Sequence, residues 1–203
     1  LLEKDKSIDM SLVVTGSHLI KNKNSSFTEI KRQKFKSKKI LKIHFKNENL
    51  GDTLNIFSKS IVKFKKTYEK IRPDLILILG DRFEIFASAL SAFFYRIPIA
   101  HIHGGEVTSG AMDDSIRHSI TKISNLHFVT NKENYKRVNQ LGENNKNIFL
   151  VGSLSSENIK KSKFLKKKEL EKKFNIKFKN KNLLITFHPV TLQKDFGKKD
   201  FKK

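Results

Sequence analysis

Short unbroken apolar runs alternate along the chain with longer stretches in which apolar residues recur every three or four positions, and this predicts strands and helices in turn. Leu12, Val13, Val14 and Thr15 form a β-branched run that stops at Gly16, a buried strand followed by a turn. Residues 21–49 are polar with little periodicity and predict a long loop with partial structure. Thr53 is placed to cap a helix reaching about Lys70, with Leu54, Phe57, Ile61 and Phe64 on one face and Pro73 as its stop. The run from 75 to 79 is wholly apolar and closes at Gly80, which predicts a central parallel strand buried on both faces. Ile85, Phe86, Ala89, Leu90, Phe93 and Phe94 then recur at helical spacing. Pro98 leads into a strand of Ile99, Ala100, His101 and Ile102, completing a βαβ unit whose crossover should be right-handed.

The pattern repeats. A helix over 113–124 precedes a strand over 126–129. A second helix over 132–141 ends at Gly142, suited to a left-handed cap, and a strand follows over 148–151. Beyond Gly152 a lysine-rich amphipathic stretch runs to about Phe178, and Leu183, Leu184, Ile185, Thr186 and Phe187 begin a fresh strand. Such an order builds an α/β fold on a doubly wound, Rossmann-like parallel sheet. The expected division is a first unit over 1–159, a lysine-rich linker over 160–182 and the opening of a second unit over 183–203.

Composition narrows the function. A chain of 203 residues can bury a full core, and the absence of cysteine excludes a disulfide scaffold and a thiolate metal site. No apolar run is long enough to span a bilayer and no signal peptide opens the chain, so a cytoplasmic protein without a membrane partner is expected. The net charge of +22 invites a nucleic-acid partner, but its distribution argues otherwise. Between 74 and 130 the four basic residues Arg82, Arg96, Arg117 and Lys122 face six acids, a net of −2. Between 160 and 181 eleven lysines face Glu169 and Glu171, a net of +9. The excess lies on the periphery, mixed with Asn, Ile and Phe as AT-rich codons favour, and no nucleic-acid partner is expected.

In sheets of this kind ligands bind beyond the carboxyl ends of the strands. Three predicted strands are followed there by Gly80-Asp81-Arg82, by His103-Gly104-Gly105-Glu106 and by Thr130-Asn131. Asp81 could act in chemistry or cap the next helix. The paired glycines would let backbone approach a ligand and set Glu106 in a tight loop, where a partly enclosed carboxylate can serve as acid or base. His101 and His103, two apart on a strand, would share a face and with Glu106 suggest a metal pair, yet no third histidine stands at a fitting spacing. No metal is expected, and His101 could equally be a core histidine. Asp113 and Asp114 open a helix, as macrodipole partners often do, with Arg117 and His118 one turn on, near enough to orient a carboxylate or to contact phosphate oxygens. Dinucleotide, P-loop and nucleophile-elbow motifs are all missing.

These motifs, taken in order, resemble the hydrolysing UDP-N-acetylglucosamine 2-epimerases. The resemblance is carried by Pro73-Asp74, Leu79-Gly80-Asp81-Arg82-Phe83-Glu84 and the run from Ile97 through His101-Ile102-His103-Gly104-Gly105-Glu106. It continues in Gly110-Ala111-Met112-Asp113, Ile116-Arg117-His118-Ser119-Ile120-Thr121-Lys122, Gly142-Glu143, Val151-Gly152 and Thr186-Phe187-His188-Pro189-Val190-Thr191. It is dense from 72 to 159, returns at 183–192 and is weak before Lys70. The resemblance implies the N-terminal half of a GT-B-like fold of two Rossmann-like domains with substrate between them. The implied activity is conversion of a UDP-2-acetamido sugar to the free 2-epimer plus UDP, for nonulosonic (sialic-acid-like) sugar synthesis. UDP would be eliminated across C1–C2 to a glycal and water then added, with no cofactor. By motif, Asp81, Glu106, Asp113 and His188 would be catalytic, and Arg82, His103, Arg117 and His118 would contact substrate. A homo-oligomer is expected at full length. The family's first strand, its glycine turn and most of its C-terminal domain have no counterpart here, and residues 153–158 depart from the family's usual Pro-Gly-Leu-Asp-Asn pattern. The 203 residues alone are therefore expected to be inactive. A GT-B-like glycosyltransferase, a basic nucleic-acid module and a metal-dependent hydrolase are the competing expectations.

Overall fold

The computed structural model describes residues 2–19, 26–32, 35, 37–41 and 50–186. Strands β1 (Ser11–Val14) and β2 (Ser37–Ile40) form a parallel pair, with helix α1 (Ser26–Arg32) between them in sequence. Helix α2 (Leu50–Ile71) leads to β3 (Ile76–Leu79), α3 (Phe83–Phe94), β4 (Ile99–Ile102), α4 (Met112–Lys122), β5 (Leu126–Val129), α5 (Lys132–Gln140) and β6 (Ile148–Leu150). The last four strands form one parallel sheet in the order β3-β4-β5-β6. Helices α6 (Leu154–Lys161) and α7 (Lys167–Phe174) follow.

The α/β parallel architecture is the expected one. Its core lies where Ile76 and Ile78 of β3 and Ile99 of β4 meet Ile56, Phe64 and Tyr68 of α2, the alanines Ala87, Ala89 and Ala92 of α3, and Ile120 of α4. A smaller cluster joins Val129 and Ile148 to Val138 of α5. Alanine at three positions of α3 lets that helix approach closely on both sides, and Tyr68 fastens it with a 2.6 Å hydrogen bond to the Ser88 hydroxyl.

Several expectations change. Rather than lying buried on both faces in the middle of the sheet, β3 is the edge of the four-stranded sheet, and its burial alternates. Leu77 and Leu79 remain 47% and 51% exposed and Phe149 of β6 41%, because helices of the described residues cover only the opposite face. Helix α2 begins three residues before Thr53, with Asp52 in its first turn, and its buried stripe is Ile56, Ser60, Phe64, Thr67 and Tyr68; Leu54 points to solvent. The polar stretch 21–49 contains both α1 and β2; the sequence Ser-Lys-Lys-Ile holds its strand through the backbone ladder to β1, which needs no apolar alternation. At the other end Leu183, Leu184, Ile185 and Thr186 form no strand. Leu183 and Leu184 are 92% and 97% exposed, and no described strand lies beside them to supply a ladder. Phe187 lies outside the described residues.

Candidate active site

The parallel ladder fixes where the chemistry gathers. Leu79 pairs with Ile102, and Ile102 with Phe128, so the segments after β3, β4 and β5 leave the sheet along one rim. Gly80 and Gly105 turn there with φ of 89° and 78°. A side chain at Gly105 would put its Cβ 2.5 Å from the Asn134 carbonyl oxygen and 2.8 Å from Val138 Cγ2. The second glycine of the pair thus serves close packing against α5, a different use from the ligand approach expected of it.

Asp81 does not cap α3. The N-cap is Arg82, and the Asp81 carboxylate is held by the Arg117 guanidinium. Arg117 is only 5% exposed and reaches three segments at once. It also donates to the Glu106 carbonyl oxygen at 2.8 Å, to Thr108 Oγ1 at 2.9 Å and to Asp114 Oδ1 at 3.4 Å. Asp114 accepts in addition from the Thr108 backbone N–H at 2.8 Å, which ties the loop after β4 to the first turn of α4.

The Glu106 side chain points the other way along the rim. Its Oε1 accepts from Thr130 Oγ1 at 3.2 Å and stands 3.0 Å from His103 Nδ1. His103 adopts φ 67°, a left-handed backbone uncommon outside glycine, so it turns out of the strand and does not share a face with His101 as expected. His101 is fully buried. One ring nitrogen lies 3.1 Å from the Gly80 carbonyl oxygen and the other 3.3 Å from Thr121 Oγ1, so it is a core residue bracing the turn that carries Asp81. Burial pushes its pKa down to about 4, keeping the ring neutral.

Asp113 lies in the first turn of α4, partly buried. Loss of hydration raises its pKa, the Asp81 charge raises it further, and Arg82 and Arg117 pull the other way. The Arg82 side chain is more than half exposed and pairs with buried Glu84 at 3.3 Å. Glu84 in turn lies against the turn after β1, where a Cβ on Gly16 would stand 2.7 Å from its Oε1. His118 Nε2 is 3.7 Å from Asp114 Oδ2, on the side of α4 near this cluster. His188 lies outside the described residues.

Asp81, Glu106, Asp113, Asp114, Arg82, His103, Arg117 and His118 thus belong to one rim, with Asp81 and the Glu106 backbone joined by a single guanidinium. Three supporting residues were not singled out by the sequence. Asn134 donates to Thr130 Oγ1 at 2.7 Å, Arg137 donates to the Gly105 carbonyl oxygen, and buried Glu84 anchors Arg82. The signals were present but faint: Asn131 caps α5 through the Asn134 N–H, which marks that helix start, and Glu84 is the one charged residue of α3.

Acids, histidines and arginines gather beyond the strand ends of an α/β sheet, where such sheets bind their ligands, and comparison with known proteins supplies the family. The family model for UDP-N-acetylglucosamine 2-epimerase matches residues 1–201, and the chain belongs to that family. It is 39% identical to the GDP/UDP-N,N'-diacetylbacillosamine 2-epimerase (hydrolyzing) of Campylobacter jejuni, over 99% of this chain and 52% of the relative. It is 36% identical to polysialic acid biosynthesis protein P7 of Escherichia coli, over 95% and 49%. In fold it is similar to the UDP-GlcNAc 2-epimerase of Neisseria meningitidis bound to UDP-GlcNAc, with a TM-score of 0.66 at 21% identity, over 86% of this chain and 48% of that one. The chain spans about half the length of the curated relatives it matches.

Proposed function

We propose that this chain supplies the carboxylate-bearing half of a hydrolysing 2-epimerase that takes a UDP-2-acetamido sugar to the free 2-epimer and UDP. The observation that carries the reading is the placement of Asp81, Glu106 and Asp113 along one strand rim, with the Asp81 carboxylate and the Glu106 backbone tied through Arg117. Family membership supports it, as do relatives named as hydrolysing 2-epimerases of diacetamido sugar nucleotides and a neighbour bound to UDP-GlcNAc.

The chemistry asks for the groups that are there. Removing the C2 proton needs a positioned base; the C–H electron pair becomes the C1–C2 double bond of a glycal as the C1–O pair departs with UDP. Positive charge developing at C1 is stabilised by a fixed anion nearby. Water then restores the saturated sugar, its oxygen bonding to C1 and a proton reaching C2 from the face opposite to the one that lost it. Opposite faces call for two separate proton-carrying groups, which a site with three carboxylates can provide. Asp113, whose pKa is raised by loss of hydration and by the Asp81 charge, is the group we assign to the delivering role. No electrons pass to an acceptor, so the balance is complete with water alone. Arg82, His103 and His118 are the remaining side chains we place against substrate, and His188 is placed on the facing side of the cleft, in a second unit beginning near 183. We place the working enzyme in the cytoplasm as a homo-oligomer without a nucleic-acid or membrane partner. In support, no helix among the described residues is long and apolar enough to cross a membrane.

The test is to incubate the protein, as its gene encodes it, with UDP-N-acetylglucosamine or a UDP-2,4-diacetamido sugar in heavy water. UDP release with one deuterium at C2 of an inverted free sugar is expected. Release without deuterium, or only in the presence of an acceptor sugar, would overturn the reading.

A further inference from the structure

Arg117 lies in α4, one turn beyond Asp113, where a cation beside a sugar-nucleotide site is first thought of as a phosphate contact. Its surroundings point elsewhere. A guanidinium has five N–H donors in a rigid fork. Here one terminal nitrogen serves the Glu106 carbonyl oxygen and Asp114 Oδ1, and the other serves the Asp81 carboxylate and Thr108 Oγ1. The side chain is 5% exposed, so an incoming diphosphate would have to displace a carboxylate to reach it. Arg82 contrasts with it: more than half of that side chain is open, and it forms an ion pair with Glu84 at 3.3 Å.

We propose that Arg117 is a positioning residue that acts through Asp81, holding that carboxylate as a fixed anion at the rim and pinning the loop that presents Glu106, while the departing diphosphate is met by other groups. The inference rests on the epimerase reading of this site. Its physical consequence is a division of labour between chemically identical acids. Asp81 is held in the grip of the buried guanidinium, and its charge is a cause, second to loss of hydration, of the raised Asp113 pKa. The separation is one of place: Asp81 fills the guanidinium fork together with Thr108, Glu106 and Asp114, and Asp113 stands outside it in the first turn of α4.

The experiment compares Arg117→Met, Arg117→Lys, Asp81→Asn and the double variant Asp81→Asn with Arg117→Met, in the protein as its gene encodes it. UDP release gives kcat and calorimetry gives the Kd for UDP. Arg117→Met is expected to lower kcat roughly 100-fold, as misplacement of a catalytic group does, with the Kd for UDP unchanged within about threefold. Arg117→Lys should recover about tenfold of that loss. In the Asp81→Asn background the same arginine change should cost less than about threefold more, because the group it positions has already lost its function. A tenfold or larger rise in the Kd for UDP at unchanged kcat would make Arg117 a phosphate contact and overturn the proposal, as would losses that multiply in the double variant. Arg117→Met strands a partly buried carboxylate, so the kcat and Kd split in Arg117→Lys separates the same two roles if the methionine variant does not fold. Wild-type protein that releases no UDP would sink the epimerase reading instead. The pairing is then tested on the fold itself: in urea denaturation the losses from Arg117→Met and Asp81→Asn should fall short of adding in the double variant, and full additivity would overturn the contact.

Discussion

Thr130 donates from Oγ1 to Glu106 Oε1 across 3.2 Å, joining the end of β5 to the loop after β4. The same hydroxyl oxygen accepts from Asn134 Nδ2 at 2.7 Å, so its orientation is set from the first turn of α5. The rim of the sheet is therefore braced twice, by Arg117 on the β3 side and by Thr130 on the β5 side.

Thr130→Val keeps the shape of the side chain and removes both bonds. Stability should fall by about 1 kcal/mol, read as a lower urea midpoint at unchanged slope. UDP release should fall more steeply than stability, by roughly tenfold, because Glu106 loses one of its two side-chain partners. An unchanged rate would show that Glu106 is held well enough by His103.

Gly105→Ala should be far more damaging than a one-carbon change usually is. The new Cβ would fall 2.5 Å from backbone, at a φ of 78° that L-residues rarely adopt. Backbone must shift, and a loss of about 3 kcal/mol is expected by chemical denaturation. A loss below about 1 kcal/mol would mean that α5 can move away freely.

Asp113→Asn separates function from stability. The folded protein raises the Asp113 pKa, so the charged form is disfavoured there relative to the unfolded chain. Any stabilisation from this carboxyl is present below the unfolded pKa and is lost as pH rises through the folded one. At neutral pH the neutral amide should leave the melting temperature equal or higher, while UDP release falls by about 100-fold or more. A lower melting temperature at pH 7 would contradict the electrostatic picture.

His101 and His127 sit opposite each other in the β4–β5 register, both buried. Burial lowers the His101 pKa to about 4 and lowers that of His127 too, against the pull of Glu143 at 3.2 Å. As pH falls below the unfolded value near 6.5, the unfolded chain takes up protons that the folded one refuses. Stability should then decline across the window from about pH 6.5 to about pH 4, by a total of order 3 kcal/mol from His101. Ring-proton NMR of the folded protein should show His101 still neutral at pH 5; a midpoint near 6.5 would show that the ring is solvated.

Much of this was legible because burial writes a plain pattern. The runs Leu75 to Leu79 and Ile99 to Ile102 announce adjacent parallel strands, and the glycines and acids after them announce the rim. Burial on both faces of β3 does not follow, because an apolar run records what a strand could bury, and Leu77 and Leu79 have no cover among the described residues. Strand β2 was invisible since its ladder uses backbone groups that every sequence possesses. Arg117 could be read either as a carboxylate partner or as a phosphate ligand; spacing places it near Asp113, but only the fold shows that Asp81, 36 residues earlier, fills its fork. Arg137 carries no sequence signal for the same reason, since its partner Gly105 lies 32 residues earlier in a separate loop.

The rows in which Leu79, Ile102 and Phe128 stand abreast set a tolerance for change. Loops hung from neighbouring parallel strands inherit a spacing of about 4.8 Å per strand, so the separation of the acids is dictated by the ladder. Lysines can accumulate on α6 and α7 without shifting that spacing. One residue inserted inside β4 has no such freedom. It would turn His101 out of the core and swing the Glu106 loop to the opposite side of the sheet.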